Sequence, residues 1–398
     1  MADKEEGLNN PKKTFPGAVW VLLLCILLLS AAMAIYGSVS SKLSSPLSDI
    51  SEINVYVNGT HFSGSNLILG WDGEIYVPAL ASAKALDIPF DSLPGKHLVC
   101  GQPDFLGKRN SFIPVSFLRD KLNCWTVDLR DRSREYFIGK GNGEKTPFDY
   151  SWMDYGQIAH ALGTAENEEY TNSKEAFIES YDKGFRLFEL DIRKTEDNEI
   201  VCVHNWKELF TPEKWKELQS SGDELHWTLD KFKALKIRDK FTPMTLKDFA
   251  LLTKDYPDIY VILDAKEAKE NLHEFYTELR DIFLEINPDL LDRLVLQMYH
   301  LETYDQLKDI YPWKSMLYTL YRTKRAGIDA AIERALSLGM RIVAYNDDKE
   351  NLGLNRKLLK MGIYPYYYTE NDPEKAKELM KRGIYAFYTD SLPPGFGK

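Results

Sequence analysis

At 398 residues, with 44% apolar and 13% aromatic side chains, the chain is long enough for two folded domains and too apolar to be disordered. Its net charge of −10 argues against a general nucleic-acid binder, which needs a basic face to neutralise phosphates. A small phosphate-bearing substrate is not excluded, because a bound cation supplies positive charge locally.

Residues 1–17 read as a short cytoplasmic tail. The run AVWVLLLCILLLSAAMAI directly after it carries no charge. At about 1.5 Å per residue it is long enough for a hydrocarbon core of about 30 Å, so a transmembrane anchor is expected over 18–36. Lys12 and Lys13 lie just before it, and the positive-inside rule then places the N-terminus in the cytoplasm. The expected protein is single-pass in the cell membrane, with its catalytic domain extracytoplasmic. Ala32-Met33-Ala34 offers the alternative of a cleaved signal peptide, which also exports the rest of the chain. The Ser-rich residues 37–52 read as a stalk. Cysteines are sparse: Cys25 lies in the anchor, Cys202 in a strand-like run, and Cys100 and Cys124 are weak grounds for a disulfide.

A small α+β domain is expected over 53–141, and it contains a repeat. Tyr76-Val77-Pro78 and Phe112-Ile113-Pro114 each open a stretch in which a Leu follows the Pro eight positions later. Each copy reads as a short strand entering a short helix through a proline. The pattern resembles the small module named after the N-terminal region of copper amine oxidases. No metal-ligand cluster accompanies it, so a spacer or wall-contacting module is expected.

From 150 to 398, strand-like runs alternate with amphipathic helical stretches. The runs are QIAHAL, RLFELDI, EIVCVH, IYVILDA, RLVLQMY, SMLYTLY, MRIVAYN, IYPYYYT and IYAFYTD. Strand and helix in alternation over this length predict a (β/α)8 TIM-type barrel. Nine runs exceed eight strands by one. The TEDN turn between RLFELDI and EIVCVH is too short for a parallel crossover, so those two runs should form an antiparallel hairpin. A turn at about residues 196 and 197 would set Glu189 opposite His204.

Glu189 and Asp191 alternate on one strand and therefore share a face. Two like charges there need a cation or donors between them. His160 ends the first run, Asp264 ends YVILDA, and Lys266 shares the parity of Asp264. Polar residues at strand ends of a parallel barrel read as catalytic. Singly, each has a bland explanation: a hydrogen-bonded structural histidine, a common acidic doublet, a surface salt bridge. Their combination at strand ends is what points to a site.

That combination resembles the glycerophosphodiester phosphodiesterase family, within the phosphatidylinositol-specific phospholipase C-like barrels, over about residues 155–395. His160 matches the first family histidine. FELDIRKTEDNEIVCVHN matches its acidic strand, turn and second histidine, and ILDAK its third acidic position and lysine. YAFYTDSL, with Thr389-Asp390, matches the closing segment. There are departures. Ala161 stands where the family usually carries Arg, and Tyr170-Thr171-Asn172-Ser173 replaces its P-E-N-T motif, without the Glu. Asp264 stands where many members have Glu, and Tyr368 where they often have Trp. Arg193, of the same parity as Asp191, is the expected partial replacement for the missing Arg.

The resemblance implies a phosphodiester hydrolase that releases glycerol phosphate and an alcohol, a glycerol hydroxyl attacking first to give a cyclic phosphate. Glu189, Asp191 and Asp264 are the expected ligands of one divalent cation, Mg²⁺ or Ca²⁺, both of which prefer hard oxygen donors. His160 and His204 are the expected general acid and base, and Lys266 the stabiliser of phosphate charge. Arg193, Trp206, Gln297 and Tyr368 are expected to bind substrate, with Trp206, Tyr366 and Tyr368 lining a mouth that suits a cationic head group such as choline. The expected partner is a small phosphodiester from lipid turnover or a wall polymer, not nucleic acid. Two alternatives stand beside this: a phospholipase C or D type acting on intact lipid, and a non-catalytic binding module.

Overall fold

A computed structural model describes residues 53–63, 67–69, 74–90, 93, 99–103, 109–122, 124–129, 134–139, 146–221, 227–346 and 353–397. The expected tail, anchor and stalk lie outside them. Among the described residues no helix is long and apolar enough to cross a membrane. The longest, Leu272–Ile286, has 15 residues and is amphipathic. At the usual rise it measures about 22 Å, short of a bilayer core of about 30 Å. The expectation of a single-pass membrane protein with an extracytoplasmic catalytic domain is corrected accordingly.

Eight parallel strands close into a barrel. They are β1 (Ile158–Ala159), β2 (Leu187–Lys194), β3 (Tyr260–Ala265), β4 (Leu294–Met298), β5 (Ser315–Thr319), β6 (Ile342–Tyr345), β7 (Tyr364–Tyr367) and β8 (Ala386–Thr389). Each pairs with the next, and β8 returns to β1. Nearly every strand residue is buried, because helices cover the outer face and side chains fill the inner one. Alternation sorts the two faces. On β2, Phe188, Leu190 and Ile192 face the helices, while Leu187 joins Ile262, Val295, Leu317, Ile342, Ala386 and Tyr388 in the interior. The inward parity therefore continues through Glu189, Asp191 and Arg193 toward the C-terminal mouth.

The ninth run, Ile200–Cys202, pairs antiparallel with β2 as a hairpin. Its register sets Ile192 against Cys202 and Lys194 against Ile200, one residue away from the expected one. Continued, it would place Glu189 opposite Asn205. A one-residue slip reverses which face a side chain takes. His204 reaches the site because the ladder ends at Cys202 and the chain leaves the sheet before it.

The bottom of the barrel is closed by a single-turn helix, Ser151–Tyr155. Its Trp152 is fully buried among the inner residues and donates its indole N–H to Ser315 Oγ at 2.7 Å. Trp152→Ala would leave a cavity there, and we expect it to cost about 3–5 kcal/mol in denaturant unfolding. A loss under about 1 kcal/mol would mean that the barrel closes without this plug.

Before the barrel lie two four-stranded sheets. In one of them Ile75–Pro78 leads into helix Ala79–Ala85, and Arg109–Pro114 into helix Val115–Leu122. The two strands pair antiparallel, so the two sequence copies are bonded to each other. This part packs on the barrel end away from the mouth. Tyr364, the first residue of β7, donates its hydroxyl to Thr126 O, and Arg356 pairs with the buried Glu135. Gly362, at φ 74°, lies so close to the Trp125 ring that a Cβ there would collide with it.

Candidate active site

At the C-terminal ends of the strands lies a cavity of about 580 Å³. His160, Glu189, Asp191, Arg193, His204, Asp264, Lys266, Gln297 and Tyr368 all line it, so nine of the expected residues meet in one place. Trp206 does not line it. Its ring stacks on Trp227 with centroids 5.2 Å apart, and the Arg193 guanidinium lies 5.3 Å from its centroid. It therefore supports Arg193 from behind. Tyr366 is likewise buried in the barrel interior.

The cross-strand register explains the acidic cluster. Asp191 on β2 is paired with Asp264 on β3, and Glu189 lies one inward step below. Ligand atoms of all three carboxylates fall within 4.8 Å of one another, and all three side chains are buried. Burial, followed by the charge of Asp191, pushes the Glu189 carboxyl well above the usual range. One Glu189 oxygen accepts the Ala161 N–H at 2.6 Å.

Asp191 is held differently. Lys266 Nζ lies 2.9 Å from Oδ1, while Asn172 donates its side-chain amide to Oδ2 at 2.8 Å and accepts the Asp191 backbone N–H. Burial opposes ionisation of Asp191, but Lys266 and then the two imidazoles hold its carboxyl below the usual carboxylate range. Lys266 also lies 2.7 Å from Asp264. Burial disfavours the ammonium, yet Asp264 and Asp191 outweigh it and raise its pKa. Tyr299 donates its hydroxyl to Asp264 at 2.8 Å and receives the Gln297 amide at 3.1 Å. Tyr388 in turn donates to Gln297 at 2.7 Å.

Both histidines are oriented by a carboxylate at Nδ1. Asp390 lies 2.8 Å from that of His160, and Glu208 2.9 Å from that of His204. Each is thereby set with Nε2 as its other ring nitrogen for chemistry. Burial lowers the His160 pKa, but the Asp390 hydrogen bond and the Glu189 charge outweigh it, and the imidazole is pushed up to about 9. Tyr170 stands between the histidines, its ring centroid 4.5 Å from that of His160 and 5.3 Å from that of His204.

Several residues of the site carried no role in the sequence reading: Tyr170, Asn172, Glu208, Tyr299, Asp390 and Arg322, the last of which also lines the cavity. Signals existed for some. Asn172 keeps the Asn of the altered family motif, Asp390 lies in the closing segment, and Tyr299 shares the inward parity of Gln297. Nothing marked Arg322, which lies in a loop beyond β5.

The glycerophosphoryl diester phosphodiesterase family profile matches residues 163–392, more than half of the chain. The chain belongs to that family and is an enzyme of the glycerophosphodiester phosphodiesterase type. No curated protein matches it in sequence. Among solved structures, a glycerophosphodiester phosphodiesterase from Parabacteroides distasonis is 17% identical, with 60% of this chain and 93% of that one covered and a TM-score of 0.46. A phosphodiesterase from Oleispira antarctica, solved with the product sn-glycerol-3-phosphate, is 17% identical, with 61% and 94% covered and a TM-score of 0.48.

Proposed function

We propose that the chain hydrolyses glycerophosphodiesters to glycerol phosphate and an alcohol, with His160 and His204 as the general acid–base pair. The observation that carries this reading is that two carboxylate-oriented imidazoles, three clustered carboxylates and a lysine converge on one cavity. The donor set fits one divalent cation such as Mg²⁺ or Ca²⁺. It is all hard oxygen, its ligand atoms lie within 4.8 Å of one another, and burial followed by the Asp191 charge pushes the Glu189 carboxyl upward. Glu189, Asp191 and Asp264 would hold the ion, which when bound neutralises phosphate charge and lowers the pKa of a hydroxyl beside it.

The chain's own groups then divide the work. One imidazole removes the proton of the attacking hydroxyl, and the other supplies one to the departing oxygen. Lys266 and Arg193 face the non-bridging oxygens with positive charge. Tyr170 keeps the two rings apart, Asn172 fixes Asp191, and Gln297 with Tyr368 borders the space left for the alcohol. Residues 53–141 serve as a spacer module and 150–398 as the catalytic domain.

The test is turnover of glycerophosphodiesters by the full chain with and without EDTA. Activity should vanish on chelation and return with Mg²⁺ or Ca²⁺. A folded, metal-loaded protein that turns over neither glycerophosphodiesters, nor intact phospholipid, nor an aryl phosphodiester would be a binding module instead.

A further inference from the structure

The cavity's charges are distributed unevenly. Its three carboxylates, Glu189, Asp191 and Asp264, are gathered in the acidic cluster, and Lys266 is paired with two of them. The remaining lining carries two guanidiniums and no further carboxylate. Arg193 has a buried Nε with no hydrogen-bond partner. Arg322 rests its guanidinium 5.5 Å from the centroid of the Tyr299 ring and makes a 3.4 Å contact with His300 Nε2. Among the described residues, neither arginine has a carboxylate within ion-pair distance.

These positions separate two regions of the substrate. The reacting phosphate belongs beside the acidic cluster and the imidazoles, where Arg193 also lies. One of the two arms of the diester is then left to the other wall, formed by Thr319, Tyr321, Arg322, Asn346 and Tyr368. Among the described residues, that wall offers a cationic head group no carboxylate, only aromatic rings, a hydroxyl, an amide and a like charge. An anionic one would meet Arg322. Tyr299 links the two regions, with its hydroxyl on Asp264 and its ring under the guanidinium. Among the described lining residues, Arg193, Lys266 and Arg322 match the three carboxylates in number, so a divalent cation held by those carboxylates would add to the attraction for a second negative charge.

We propose that Arg322 is a specificity-determining residue, and that the preferred glycerophosphodiesters carry a second anionic group, phosphate or carboxylate, on the leaving alcohol. This rests on the hydrolase reading, and it replaces the choline-type head group that the aromatics alone suggested.

The test compares four substrates with the full chain: glycerophosphoglycerol bearing a terminal phosphate, glycerophosphoserine, plain glycerophosphoglycerol and glycerophosphocholine. The first two distinguish phosphate from carboxylate as the group read. At least one should exceed the plain diester in kcat/KM by roughly tenfold, the size of one charge-assisted contact at an open mouth. Arg322→Gln should erase that ratio and Arg322→Lys should keep part of it. A ratio near one in the parent protein, or one unchanged in Arg322→Gln, would overturn the proposal.

If no diester is turned over at all, the hydrolase reading fails, and calorimetry with glycerol phosphate and glycerol bisphosphate decides the point. Tighter binding of the bisphosphate that Arg322→Gln abolishes would sustain the role of Arg322. Equal binding would end it.

Discussion

His204→Ala should lower kcat by roughly 10²–10⁴-fold, the usual worth of one general acid or base. This histidine gives the cleaner of the two tests. Its side chain is 34% exposed, and its partner Glu208 also caps the following turn, so the fold should tolerate the loss. His160→Ala should be equally damaging to turnover. It would also take the partner of Oδ1 from Asp390, whose side chain is 3% exposed and would keep only the Asn371 amide on Oδ2, and so mix catalysis with stability. The decisive measurement is a single-turnover rate in parallel with a metal-induced melting shift. Turnover should collapse while the shift persists, because His204 is not among the expected metal ligands. Near-normal turnover would remove His204 from the reaction. The double variant should be little worse than either single one, since the two imidazoles act on one transition state.

Lys266→Met should separate stability from activity in an unusual way. The ammonium touches both Asp191 and Asp264 with its side chain only 17% exposed. Without metal, its removal leaves buried carboxylates uncompensated beside Glu189, at an expected cost of about 3–5 kcal/mol. A divalent cation would restore the missing charge, so added Mg²⁺ or Ca²⁺ should stabilise the variant more than the parent protein. Turnover should nonetheless stay down by roughly 10²–10³-fold, as for other lost oxyanion-type contacts. Denaturant unfolding with and without the ion reads both effects. Indifference of the variant's stability to cations would mean that the three carboxylates hold no metal.

The barrel was legible because parallel strands buried on both faces leave near-continuous apolar runs, and because the TEDN turn is too short to be a crossover. Glu189, Asp191, Asp264 and Lys266 could be read from parity, which holds wherever a strand stays regular. Prediction failed where the chain leaves regular structure. The His204 register slipped because the hairpin turn lies later along the chain than expected. Trp206 looked like a mouth residue from its place after His204, but its short helix turns the ring onto Trp227. Tyr170, at φ 58°, and Arg322 lie in connections where no periodicity tells which way a side chain points. The anchor reading rested on residues outside the described structure, and no described helix supports a membrane span.

Ala161 bears on how this site can change. Its backbone is left-handed at φ 49°, its amide is engaged by Glu189, and its side chain is fully buried. An arginine there would have to place a guanidinium where only a methyl group now fits, at a cost in both packing and desolvation. A long side chain is therefore not admitted by a single substitution at this position: the neighbours would have to move before it could be seated. Substitution is freer at Arg322, which is exposed where it lines the cavity.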